Sequence, residues 1–74
     1  MTYKDFIKEY GEEEVRFTSY YKYEFTFKNK NVTVWCGGSS DDIYKFAVDT
    51  EPIKIKDIEA PISEIEIGGE YYFL

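Results

Sequence analysis

Two periods of apolar residues divide the chain. Tyr3, Phe6, Ile7 and Tyr10 fall at i, i+3, i+4 and i+7, the spacing that gathers side chains into one stripe of an α-helix. Thr2 stands where an N-cap would, with Asp5 three residues on, and Gly11 follows the last apolar residue as a C′ glycine would, so the pattern predicts a helix of about two turns. Such a short helix is unstable alone in water, and its stripe must lie on a sheet.

From Val15 the period becomes two. Val15, Phe17, Tyr21, Tyr23, Phe25 and Phe27 share one side of an extended chain, and Arg16, Thr18, Lys22, Glu24, Thr26 and Lys28 share the other. This stretch is long for one strand, so Ser19-Tyr20 is read as a bulge or bend within it. Asn29-Lys30-Asn31 then reads as a hairpin loop, because Asn tolerates the left-handed conformation, and residues 32–36 return antiparallel. Residues 37–42 have turn composition, and 43–48 read as a further strand with Tyr44, Phe46 and Val48 on one side. Pro52 breaks that strand, residues 53–56 alternate again, and Pro61 breaks the chain a second time. Residues 65–67 and 71–74 flank Gly68-Gly69 in the form of a hairpin with a two-glycine turn. The predicted fold is α+β, a short N-terminal helix packed on an antiparallel sheet of about five strands, with a small, strongly bent barrel as the alternative. Residues 1–74 are read as one small acidic domain.

Composition limits the chemistry. A chain of 74 residues buries only ~60% of the surface its unfolded form exposes, and its apolar side chains are largely spent on one core. A roomy active-site cleft would hollow that core out. There is no His, which removes the commonest general base and the commonest zinc ligand. Cys36 is the one cysteine, so no internal disulfide forms, and beside Gly37-Gly38 it reads as a small buried apolar residue more readily than as a nucleophile. Gly37-Gly38 and Gly68-Gly69 are followed by serines or an acid and not by the Lys-Ser or Lys-Thr of a phosphate loop, and residues 37–42 lack the alternating acids of a calcium loop. No catalytic residue, no metal ligand and no cofactor is therefore expected, and the chain is not read as an enzyme. Without an apolar run of signal-peptide or membrane-spanning length, it is expected to be cytoplasmic, with no membrane partner.

Charge changes the picture further. Fifteen acids against nine bases give a net charge of −6, and they are segregated: residues 15–36 carry four bases and one acid, whereas residues 57–74 carry five acids and no base. Arg16, Lys22, Lys28 and Lys30 beside aromatics would suit a single-stranded nucleic acid, but the surplus of acids repels a polyanion, and no direct nucleic-acid contact is expected. The acidic series Asp57, Glu59, Glu64, Glu66 and Glu70 reads either as a solvated face or as a stand-in for spaced phosphates. Alternate residues of a strand repeat every ~6.6 Å, close to the ~6 to 7 Å between neighbouring phosphates, so Glu64 and Glu66 suit the second role.

Fifteen aromatics exceed what one face of a small sheet must bury. Tyr20, Trp35 and Tyr72 fall out of phase with the inner residues of their strands and join the five acids as candidate partner-binding residues. In size, acidity and lack of catalytic groups the chain is similar to phage-encoded inhibitors of bacterial defence, the anti-CRISPR proteins among them; the likeness is one of composition and carries over no functional residue. It implies a stoichiometric inhibitor or sequestering protein that docks on a larger, basic, nucleic-acid-binding partner. The alternative is a self-associating module, a homodimer or a part of a larger assembly.

Overall fold

The computed structural model describes residues 1–19, 21–37 and 51–73. The strand predicted over 43–48, the turn residues 38–42, Tyr20 and Leu74 lie outside the described residues. The elements run α1 (Tyr3–Tyr10), β1 (Glu14–Ser19), β2 (Lys22–Phe27), β3 (Lys30–Cys36), β4 (Ile53–Lys54), a 3-10 turn η1 (Ile55–Asp57), β5 (Ile62–Ile67) and β6 (Glu70–Phe73). The strands form one open antiparallel sheet in the order β4-β1-β2-β3-β5-β6, with α1 on one face. The α+β architecture is as predicted, the described residues form six strands where about five were expected, and the barrel alternative falls because the sheet does not close.

The helix begins as its sequence requires. The Thr2 hydroxyl accepts from the Asp5 backbone N–H at 3.2 Å, and the Asp5 carboxylate accepts from the Thr2 N–H at 3.4 Å, so two otherwise orphaned donors are satisfied reciprocally. Its end differs from expectation. Gly11 is right-handed, φ −58°, and what requires glycine is room: a Cβ would run into the Ile7 carbonyl oxygen, to which the Gly11 N–H donates at 2.9 Å. The Phe6 and Tyr10 rings are 5.0 Å apart, and Tyr10 meets the edges of Phe27 at 4.9 Å and Phe25 at 6.1 Å, which seats the helix on β2. Phe6 is fully buried, so truncation to Ala would cost about 3–5 kcal/mol, much of the stability a domain this small has.

Two loops differ from the sequence reading. The stretch from Val15 to Phe27 is two strands, with Phe17 opposite Tyr23 and Ser19 opposite Lys22, so the chain reverses where a bend was predicted. Tyr21 closes the reversal at φ 61° and is buried. The next turn is Lys28-Asn29, at φ 49° and 65°, with Phe27 paired to Lys30; the loop is one residue earlier and shorter than Asn29-Lys30-Asn31 because a two-residue type I′ turn matches the twist of its strands. Gly68-Gly69 forms the predicted two-glycine turn, at φ 59° and 92°.

The core lies between α1 and the sheet: Val15, Tyr23, Val32, Val34, Cys36, Ile65 and Ile67 from the strands and Tyr21 from the reversal between β1 and β2 meet Phe6, Tyr10, Ile55 and Ile58. β4 and η1 are strapped beside the helix end by Ile55 N–H to Glu13 C=O at 3.1 Å and Lys56 N–H to Gly11 C=O at 3.2 Å. Lys56 Nζ meets Glu12 Oε1 at 2.5 Å, and Lys54 Nζ lies 3.6 Å from Glu14 Oε1. No helix among the described residues is long and apolar enough to cross a membrane.

Candidate functional site

A strand sends alternate side chains to opposite faces, and here one face carries the helix. On the other face, pairing lines residues up in two rows across four strands. Lys22, Trp35, Glu64 and Phe73 form the first row, and Glu24, Thr33, Glu66 and Tyr71 the second. No helix covers this face among the described residues. Phe73 is 80% exposed and Tyr71 55%, whereas Trp35 is half-buried by its neighbours.

The two rows interlock at Trp35 and Tyr71. Their rings stack at 6.2 Å and 25°, leaning toward each other across β5 between Glu64 and Glu66. The Glu66 carboxylate, paired across the strands with Tyr71, raises the tyrosine's pKa above its ordinary value by attracting its hydroxyl proton and by its negative charge; Lys22 acts in the opposite direction. Lys22 Nζ stands 5.8 Å from the centre of the Trp35 ring and 2.9 Å from Glu24 Oε1. Next to this cluster, Glu24, Thr26, Asn31, Thr33 and Glu66 line a shallow open depression.

The acids predicted as one series are dispersed. Glu64 and Glu66 share the helix-free face, two residues apart on β5. Asp57 lies in η1, which packs beside α1, and Glu59 lines a depression with Tyr3 and Pro61 at the helix side. Glu70 starts β6 and accepts a hydrogen bond of 3.0 Å from the Tyr72 hydroxyl. A charge run in sequence is thus no run in space, because a turn, a 3-10 segment and a hairpin separate its members.

Of the aromatics predicted as outward, Trp35 is on the helix-free face. Tyr72 is not: it pairs with the fully buried Ile65 and packs against the core from the helix side. Tyr20 lies outside the described residues. Lys22 and Glu24, read from the sequence as the polar side of their strand, join this face; Tyr71 and Phe73 were missed as members of it. Their signal was the Gly68-Gly69 turn, since a two-residue loop pairs Ile67 with Glu70 and so sets Tyr72 opposite Ile65.

Cys36 belongs to the core end of β3, and burial pushes its thiol up to about 12, so at neutral pH it is a protonated apolar group. Among the described residues, no group of three or more His, Cys, Asp or Glu side chains is placed to hold a metal ion. Compared with known proteins, the chain matches no family model, no curated protein and no solved structure.

Proposed function

We propose that this protein is a small binding module that docks the helix-free face of its sheet on a larger basic protein and acts as a stoichiometric inhibitor or sequestering protein. The observation that carries the reading is the exposure of Phe73 and Tyr71 beside Trp35 on one face, while the aromatics of the core are packed on the other. Apolar surface left uncovered costs solubility, and aromatic anchors ringed by polar groups are what protein interfaces use. Glu64 and Glu66 set the sign of the partner, since complementary charge speeds association and fixes register. Asp57, Glu59 and Glu70 stand apart from this patch, so the phosphate-like series shortens to two carboxylates. The compositional likeness to anti-defence inhibitors favours inhibition over a constitutive structural role, and the pairing of Lys22 with Glu24 weakens the hairpin as a nucleic-acid surface.

A second reading, a self-associating module, is favoured by β6: among the described residues it is a sheet edge with exposed rings.

The test compares wild type with Trp35→Ala/Tyr71→Ala/Phe73→Ala and with Glu64→Gln/Glu66→Gln as bait in a host extract, followed by kinetics on the captured protein. The aromatic variant is expected to lose at least about a hundredfold in affinity, since anchors contribute ~2 kcal/mol or more each. The Gln variant is expected to associate more slowly and with a shallower salt dependence. Recovery of the same partner by both variants at wild-type rates would remove this face as the contact surface.

A further inference from the structure

We propose that Trp35, Tyr71, Glu64 and Glu66 form a seat for an arginine side chain of the basic partner, and that Lys22 occupies only the rim of this seat in the free protein. The inference rests on the preceding reading and gives the partner a chemistry.

The geometry is that of a cation receptor. Trp35 and Tyr71 present ring faces 25° from parallel, directly opposite Glu64 and Glu66 respectively, so the aromatic platform has a carboxylate on either side. A planar guanidinium stacks on a ring face and offers its edge to a carboxylate, two contacts that a seat of this kind supplies together. The stacking of Tyr71 on Trp35 sets the platform before any partner arrives, which limits the ordering that binding requires. Charge complementarity is visible in the molecule itself: the Lys22 ammonium lies 5.8 Å from the Trp35 ring centre, close enough to Tyr71 to act on its hydroxyl. That ammonium is held by Glu24 at 2.9 Å, in an exposed pair of the kind that contributes little and exchanges readily. A lysine bound as a point charge at the rim leaves the bidentate and stacking capacity of the seat unused, and arginine takes up both.

Trp35 is the one tryptophan, so its emission reports on the seat alone. Titration with an oligo-arginine peptide is expected to shift that emission, and an oligo-lysine peptide of equal length to bind more weakly. Glu64→Gln/Glu66→Gln should weaken oligo-arginine binding by about tenfold or more, whereas Glu9→Gln/Glu59→Gln, which removes the same charge elsewhere, should weaken it by about twofold or less. Lys22→Gln should tighten binding several-fold, and Lys4→Gln, with the same change in net charge, should not. Circular dichroism of each variant establishes that the fold persists. Equal weakening by the two double variants, equal affinity for the two peptides, or an emission that never moves overturns the arginine seat. Any of these leaves the binding face itself standing if the triple aromatic variant still fails to hold the partner, because Phe73 and Tyr71 can anchor a surface that brings no arginine.

Discussion

Cys36 shows how far a single residue could be read. Its parity with Val32 and Val34 places it on the inner face, and the structure buries it there. Burial disfavours the thiolate, so the folded thiol titrates near 12 while the unfolded one titrates at ~8.5. The unfolded chain therefore releases its proton first as pH rises. The contribution of this thiol to stability is complete below ~8.5 and is lost as pH rises toward 12. At pH 8 a disulfide reagent should consume native Cys36 on the order of a thousandfold more slowly than the denatured chain. A native rate near that of the denatured thiol would show Cys36 to be accessible. Tyr72 was misread at the same scale for a different reason. Its face depends on where the Gly68-Gly69 turn puts it against Ile65, which is a property of two strands and not of one.

At the scale of elements, alternation from Val15 to Phe27 was correct in phase and wrong in path. A two-residue reversal would ordinarily pair odd with even positions and send Phe17 and Tyr23 to opposite faces. The register shift between Phe17 and Ser19 restores odd-to-odd pairing, so one unbroken alternation survives the hairpin and conceals it. Nor does the reversal carry glycine to announce it, since Tyr21 takes the left-handed conformation there. The same device recurs at Lys28-Asn29, where both residues hold positive φ against the steric preference of an L side chain. Replacing this pair by Asn-Gly is expected to stabilise the fold by about 1 kcal/mol, read as a higher denaturant midpoint with an unchanged slope. A lower midpoint would mean that the Lys28 ammonium over the Phe27 ring, 5.1 Å from its centre, matters more than the turn.

For the whole molecule, the legible part was the division into one helix and an antiparallel sheet; the order of strands was not, because β4 joins β1 across a long stretch of chain. That order decides which strands are edges. With β6 at one edge among the described residues and exposed Tyr71 and Phe73 on it, a concentration-dependent homodimer is expected, formed by two-fold pairing of β6 with its copy. Sedimentation should show the dimer, and Tyr71→Lys/Phe73→Lys should leave a monomer at every concentration. A wild-type protein that stays monomeric at high concentration, or a dimer indifferent to both lysines, would eliminate self-association through β6.

The opposite edge is β4, two residues long and flanked by the Lys54–Glu14 and Lys56–Glu12 pairs. Short, charged strands are poor templates for a further strand. In the vocabulary of polymerisation, the described sheet is a monofunctional unit, with one reactive end and one blocked end. When two such units join through β6 they consume both reactive ends and leave a blocked β4 at either extremity, so growth terminates at two. If β6 pairs with a partner or a copy, the asymmetry of the described edges leaves no second end from which a fibre is propagated.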